Sequence, residues 1–472
     1  MLEIRLNFYA NKIILCILIF LLLFPAGLVF AQDDLPPGPV YIVQEGDSLW
    51  GVAQRFNVPL TELTRYNGIS DPGQLSIGTQ LVIPGMEDVQ GVLVTRTVPF
   101  GENLRSLSRK YGLSVESLAR LNRITSPVSL FIGANIILPE EKIEGLSMGR
   151  ASLSPGESLL ELAVKKNVNP WRLVVINSLQ GTWDTIPGDS ILDPTKPETE
   201  SPGGLPAAIR EIEVDPVPLV QGSTAVIRMQ VDGEMDLIGS LFEREFNFFQ
   251  DTDGSYLGMQ GVHAMTRPGF YPLVLNGKLL DGTPVMYSQL IYVRDGNFTY
   301  ERLVVPPETI DPEITEPEDE LWTSLMVNAS SERIWKDAFK VPVSPLFADC
   351  FPSLYGNRRS YNGSPFNYFH TGLDFCGGVG QDIYAAGTGV VVFADDLTVR
   401  GKSTIIDHGW GVYTAYMHQS EILVEVGDHV EAGELIGFVG ATGRVTGSHL
   451  HFEVIVNGVQ VNPMSWLERE YP

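Results

Sequence analysis

The stretch Ser448-His449-Leu450-His451-Phe452-Glu453-Val454-Ile455-Val456 decides how the C-terminal region of this 472-residue chain is read. From Leu450 to Val456 it is rich in β-branched and aromatic residues, the composition of a strand. Residues two apart on a strand point to one face, their β-carbons roughly 7 Å apart. His449 and His451 therefore share a face. One of them can bind a metal while the other stands beside it, close enough to act on water held there.

The same pattern extends outward. The chain has 7 histidines. All but His263 fall between His370 and His451, a concentration that scatter would not produce. Gly389 to Phe393, Ser403 to Asp407, Tyr413 to Met417 and Leu435 to Val439 also read as strands, so the region is mostly β. His370-Thr371-Gly372-Leu373-Asp374 places an imidazole and a carboxylate four residues apart, too far for one ion on a straight strand. Gly372 between them permits the bend or bulge that would converge them. Two imidazoles and one carboxylate form a normal catalytic zinc set with a fourth position left open.

Length predicts two to four domains. Lys and Arg total 32 against 57 Asp and Glu, a formal charge of -25. Such an excess excludes nucleic acid as a partner, because phosphates need basic surfaces. Residues 1-31 read as an export signal: Arg5 and Lys12 precede an apolar run from Ile13 to Phe24, Pro25 and Gly27 break it, and Val29-Phe30-Ala31 fits a cleavage site. The rival reading is a retained anchor, the one route by which this chain would meet a membrane. Either way the rest works outside the cytoplasm, in the wall, the envelope or the medium. Cys16 lies in the signal, and Cys350 and Cys376 remain. Two thiols in an oxidising compartment predict one disulfide.

A 55-residue repeat occupies the N-terminal part. Gly46, Leu49, Leu63, Asn67, Gly78 and Pro84 recur as Gly101, Leu104, Leu118, Asn122, Gly133 and Pro139, and again as Gly156, Leu159, Leu173, Asn177, Gly188 and Pro194. Each copy predicts a short strand, a turn whose Asp47 or Ser48 caps a helix, a second helix closed by Asn67-Gly68, and a last strand. That is a small α+β unit of βααβ form, at 40-84, 95-139 and 150-194. The third copy is degenerate, with Asp193 where an apolar residue is expected. Residues 195-206 read as a linker. Residues 207-300, with alternation at Ala225, Ile227, Met229 and Val231 and turns at Asp253-Gly254 and Asn276-Gly277, read as an immunoglobulin-like β-sandwich acting as a spacer or contact surface. Residues 301-339 are proline-rich and acidic. A helix is expected there from Thr315, with Glu318 completing a capping box and Leu321, Trp322, Leu325 and Met326 on its apolar face.

The pattern Tyr41-x-Val43-x-x-Gly46-Asp47-Ser48-Leu49-Trp50, with Asn67 and Leu81-x-Ile83-Pro84, resembles the LysM module, which implies binding to N-acetylglucosamine-containing glycan such as peptidoglycan. Tandem copies would gain by effective concentration. Residues 340-472 resemble the lysostaphin/LytM-type zinc metallopeptidases through His370-x-x-x-Asp374, Tyr416-Met417-His418, Asp407-His408-Gly409, Gly440-Ala441-Thr442-Gly443-Arg444 and the His449-x-His451 run. The segment from Asp349 to Phe369 departs from that pattern. The resemblance implies a mostly antiparallel β domain holding one Zn2+ per chain on His370, Asp374 and His451. His418 and His449 would be its catalytic, non-ligand histidines, one taking a proton and the other stabilising the oxyanion. Apart from the resemblance, Glu453 shares the strand face of His451 and is read either as orienting that ring or as a surface carboxylate, while His408 and His429 are structural or exposed. The whole reads as an exported endopeptidase of peptidoglycan peptides. The alternatives are a wall-binding scaffold or amidase activator, and a latent enzyme whose groove is covered by the acidic segment.

Overall fold

The computed structural model describes residues 38-71, 73, 75-140, 148-197, 202-326 and 330-472. The expected export signal lies outside the described residues, as do residues 198-201 of the expected linker. Among the described residues no helix is long and apolar enough to cross a membrane. The chain forms two compact units that divide between Leu93 and Val94.

The first unit holds the first repeat. Val40–Ile42 pairs antiparallel with Gln80–Val82, and helices Leu49–Phe56 and Leu60–Tyr66 lie between them in sequence. The cap is Ser48, whose hydroxyl accepts from the Gly51 amide at 3.1 Å. Asn67 does more than end a helix. Its amide donates to the Leu63 carbonyl at 2.9 Å and to the Val82 carbonyl at 2.8 Å, and its oxygen accepts from the Val82 amide at 2.7 Å. One side chain thus ties helix to strand across fifteen residues. Gly68 beyond it takes φ 63°.

Within the second unit, Asn122 and Asn177 repeat these three bonds, to Leu118 and Ile137 and to Leu173 and Leu192. The third copy keeps the βααβ order through Gly149–Ser152, Leu159–Lys165, Pro170–Ile176 and Ser190–Asp193. Its irregular Asp193 is buried and lies 3.2 Å from the Lys166 ammonium, so the charge is matched.

Eight strands follow: β1 (Ile209–Asp215), β2 (Leu219–Val220), β3 (Thr224–Val231), β4 (Met235–Leu241), β5 (Arg244–Gln250), β6 (Tyr256–Gly261), β7 (Gly269–Leu279) and β8 (Pro284–Arg294). The region is β throughout. Its hydrogen bonding runs in one path, β1-β3-β6-β5-β4-β7-β8-β2. The expected sandwich has two separately bonded sheets; here β5 joins them, pairing with β4 through Arg244 to Asn247 and with β6 through Phe248 to Gln250. One core of this region takes in Phe100 and Ile132 of the second repeat. Val226, Leu257 and Met259 instead enter the core of the C-terminal domain. The Trp466 indole donates to the Thr224 hydroxyl there at 3.0 Å. The region is thus a docked surface on both sides rather than a free spacer.

Residues 301-339 differ most from expectation. Strand β9 (Tyr300–Leu303) pairs in parallel with β10 (Arg358–Tyr361), which pairs with β11 (Tyr368–Phe369). Helix α1 (Pro312–Ser324) starts three residues earlier than predicted, because Asp311 accepts from the Glu313 amide at 3.0 Å and Pro312 needs no partner at the first position. Glu318 forms no capping box. It is buried, accepting from the Val399 and Arg400 amides at 2.9 Å each and from the Arg400 guanidinium at 3.0 Å. Trp322 and Met326 do pack as expected, in a cluster with Phe393, Ile405, Tyr413 and Ile455. The segment reads as a linker by composition because its charges are matched only in the folded state.

The main C-terminal sheet orders β12 (Leu373–Cys376), β19 (His449–Val456), β16 (Val412–Ile422), β15 (Gly401–Gly409), β14 (Gly389–Leu397) and β17 (His429–Val430). Strand β13 (Asp382–Tyr384) pairs with β18 (Leu435–Val439), β18 also pairs with β16, and β20 (Val459–Val461) pairs with β19. A Cys350–Cys376 disulfide joins the loop before β10 to the end of β12.

If residues 301-326 belong to this domain, Trp322→Ala should destabilise its unfolding transition by about 3–5 kcal/mol, the cost of emptying a buried indole site. Chemical denaturation monitored by the C-terminal tryptophans would measure it, and a free linker would give no change.

Candidate metal centre

The centre is built from a break and a register. Between β11 and β12 the chain turns at Thr371 and Gly372, so His370 leaves strand geometry and swings back over Asp374. Gly372 is required by close approach: a β-carbon there would sit 2.3 Å from the Phe452 carbonyl oxygen and 2.7 Å from His451 Nε2. On the other side, β12 pairs with β19 so that Asp374 faces His451. His370 Nε2, Asp374 Oδ1 and His451 Nδ1 come within 2.9 Å of one another, all buried.

The outer nitrogens are engaged as well. His370 Nδ1 lies 2.9 Å from the Leu354 carbonyl and 3.1 Å from the Ser353 hydroxyl. His451 Nε2 lies 3.2 Å from Glu453 Oε1. Those partners turn the remaining lone pairs of both rings toward Asp374. Burial would raise the Asp374 carboxyl, but His370 and His451 overcome it and hold it well below the carboxylate range. Burial would lower His451, yet Asp374 and Glu453 prevail and raise it to about 9. Two buried carboxylates thus converge on one imidazole in a pocket that favours a cation, and this donor set fits zinc.

His418 and His449 flank the cluster, their ring centres 5.0 Å apart. His418 Nδ1 donates to the Thr442 carbonyl and His449 Nδ1 to the Gly447 carbonyl, each at 2.9 Å. Both rings therefore carry a proton on Nδ1, which leaves Nε2 as the nitrogen available for proton transfer. His449 Nε2 lies 3.6 Å from Asp374 Oδ1. Burial pushes His418 well below the ordinary histidine value, and the neighbouring His451 and His449 add to this, so it is neutral. Its backbone has φ 64°, a left-handed conformation that non-glycine residues adopt at a cost. The conformation is held by its amide's bond to the Arg400 carbonyl at 3.1 Å and by Gly440, where a β-carbon would meet the His418 carbonyl oxygen at 2.6 Å.

The structure brings together all six residues singled out for this site: His370, Asp374, His451, His418, His449 and Glu453. His429 is exposed on β17, and His408 is buried between the Thr388 carbonyl and the Thr414 hydroxyl, each at 2.8 Å. Sequence reasoning missed Ser353 and Arg359, which reach His370 and Asp374 from the segment that departs from the motif pattern. The adjacent pair Arg358-Arg359 in that insertion was the signal available. A groove of about 530 Å³ runs past the centre, lined among others by His418, His449, Arg359, Tyr361 and Arg444.

A buried two-histidine, one-carboxylate cluster beside two free imidazole bases, on an antiparallel sheet, defines a metallopeptidase-type site. Residues 368–463 match the profile of peptidase family M23 and are a domain of that metallopeptidase family; residues 41–84 and 97–139 match, and are, LysM domains. Peptidoglycan DD-endopeptidase ShyA of Vibrio cholerae is 46% identical over 95 residues, 20% of this chain and 22% of that protein. DD-carboxypeptidase/endopeptidase Mpg of Neisseria meningitidis is 41% identical over 112 residues, 22% of this chain and 26% of that protein. The chain thus spans about a quarter of the length of these relatives. A crystal structure of a putative peptidase M23 from Pseudomonas aeruginosa is 26% identical, covering 54% of this chain and 96% of that one with a TM-score of 0.38.

Burial pushes His408 down to about 4, the Thr388 carbonyl opposing. As pH falls from the unfolded value of about 6.5 toward 4, the unfolded chain takes up a proton that the folded one refuses. Stability should therefore be lost across that window, by up to about 3 kcal/mol. Urea midpoints at several pH values should fall less steeply in His408→Gln than in the unaltered chain.

Proposed function

We propose that the chain is an exported, zinc-dependent endopeptidase of bacterial peptidoglycan, held to glycan by its LysM copies. The observation that carries this is the His370, Asp374 and His451 donor cluster with the Nε2 atoms of His418 and His449 beside it in an open groove. His370 Nε2, Asp374 Oδ1 and His451 Nδ1 would hold the ion, one per chain. When bound, zinc supplies Lewis acidity toward a carbonyl and toward water.

The remaining work falls to the chain's own side chains. His449, on the groove side, is placed to take a proton at Nε2 and return it to the leaving amine. His418, neutral at rest and anchored by Thr442, presents a second Nε2 to the same space, and whichever ring takes the water's proton would be the imidazolium that stands at the developing oxyanion before that proton passes to the leaving amine. Glu453 holds His451 in the tautomer that offers Nδ1. The names of the relatives, DD-endopeptidase and DD-carboxypeptidase/endopeptidase, support a bond between D-residues of stem peptides as the target. The LysM domains support N-acetylglucosamine-containing glycan as the anchor and the envelope or its exterior as the location. The β region, bonded as one path, would serve as an immunoglobulin-like brace.

One observation bears on the latent-enzyme reading. Leu303, Val305, Ile310, Thr315 and Asp319 of the acidic segment line the same groove. That segment also supplies Trp322 and Glu318 to the domain's interior, so it is wall as much as cover. A scaffold role would be favoured by a lost ligand or base, and all five are present.

Mass spectrometry of peptidoglycan incubated with residues 32-472 tests the reading. New amino termini should appear, vanish on chelation, and fall by roughly 10²–10⁴-fold in His449→Ala, the usual loss for a general base. Wall binding without cleavage would overturn it. Separately, metal analysis should find one zinc per chain, and Asp374→Asn should not retain it through dialysis.

A further inference from the structure

Beside the centre, three donors converge on a single carboxylate that belongs to another element. Glu301 Oε1 accepts from the Ser353 hydroxyl at 2.9 Å and from the Asn357 amide at 2.7 Å, and its Oε2 accepts from Arg359 Nε at 3.1 Å. Burial would raise the Glu301 carboxyl, but these bonds prevail and hold it below its ordinary value, so the group they bind is an anion. A hydroxyl, an amide and a guanidinium arranged around one anion form a carboxylate receptor.

Its position gives it meaning. Arg359 Nη2 lies 3.0 Å from Ser353 Oγ and 3.8 Å from Asp374 Oδ2, and Ser353 Oγ lies 3.1 Å from His370 Nδ1. The receptor therefore abuts the ligand cluster. Ser353 and Arg359 line the same groove as His418 and His449, and so does Glu301 itself. Glu301 reaches it from β9, a four-residue strand at the edge of its three-stranded sheet. Such an edge is bonded on one side only.

We propose that Ser353, Asn357 and Arg359 are a carboxylate subsite that recognises a free carboxylate of the peptide substrate next to the scissile bond, and that Glu301 fills it in the resting chain as an internal competitor. This rests on the peptidase reading and narrows its substrate class to peptides that end, or branch, in a carboxylate close to the cut. Glu301 leaves Arg359 when such a substrate arrives, and its own carboxylate passes to water.

The experiment uses the zinc-loaded chain of residues 32-472 and one short acetylated peptide ending in D-alanyl-D-alanine, as free acid and as C-terminal amide. Binding is followed by calorimetry in the His449→Ala background and hydrolysis in the active chain. The acid should be preferred over the amide by about tenfold or more, the worth of charged hydrogen bonds. Arg359→Gln should bring the ratio to about one, Arg359→Lys should restore it in part, and Glu301→Gln should raise it, with melting curves confirming that each variant folds. An unchanged ratio in Arg359→Gln, a ratio that falls in Glu301→Gln, or no binding of either peptide would overturn the subsite. Equal hydrolysis of both peptides sinks the subsite and leaves the peptidase. Arg359-dependent binding without hydrolysis of any peptide or wall sinks the peptidase and leaves the subsite.

Discussion

The register of one strand governs the whole C-terminal domain. β19 lies between β12 and β16, and this sets His451 opposite Asp374 on one side and Met417 on the other. Successive residues of a strand face opposite ways, so a slip by one would turn His449, His451 and Glu453 away from the site together. The slip is opposed from both faces. Leu450, Phe452, Val454 and Val456 enter one apolar core, and Ile455 enters a second beside Trp322. The same strand face therefore carries polar chemistry at its start and hydrophobic packing further along. α1 packs against the second part, which makes the acidic segment a support for the first.

Much of this was legible because it is local. The His449-x-His451 spacing, the strand runs and the repeat at 55 residues are properties of neighbouring positions, and periodicity exposes them. The bend at Gly372 was also legible, and the structure adds a close approach by the Phe452 carbonyl and His451 that leaves no room for a β-carbon. What escaped was long-range. Asn67 reads as a helix end, and its bonds to Val82 appear only once the last strand has folded back. Glu318 reads as a solvated cap because its true partners, the amides of Val399 and Arg400, lie eighty residues away. β5 reads as an ordinary strand, and nothing local reveals that it changes partners midway.

Charge is distributed against the overall balance. In a chain of formal charge -25, the groove presents Arg359, Arg400 and Arg444. Glu301, one of two acidic partners of Arg359, and Glu318 with Asp319, the partners of Arg400, come from the single segment 301-326. The Arg444 guanidinium donates instead to the Thr309 carbonyl of that segment, at 2.8 Å. An ion pair formed by two elements of one domain ties the placement of each to the other. The groove's positive side chains are therefore positioned by residues that composition alone would assign to a tether.

The β region between repeat and peptidase shares one core with Phe100 and Ile132 and gives Val226, Leu257 and Met259 to the other. The second repeat, the sheet and the C-terminal domain are thus joined through shared apolar cores. If the second repeat grips polymer as proposed, the strand would meet the groove at a set offset, as stock held in a jig meets a blade. A flexible tether would let the cutting edge search a sphere around its anchor. This build instead makes the distance from repeat to groove a dimension of the protein.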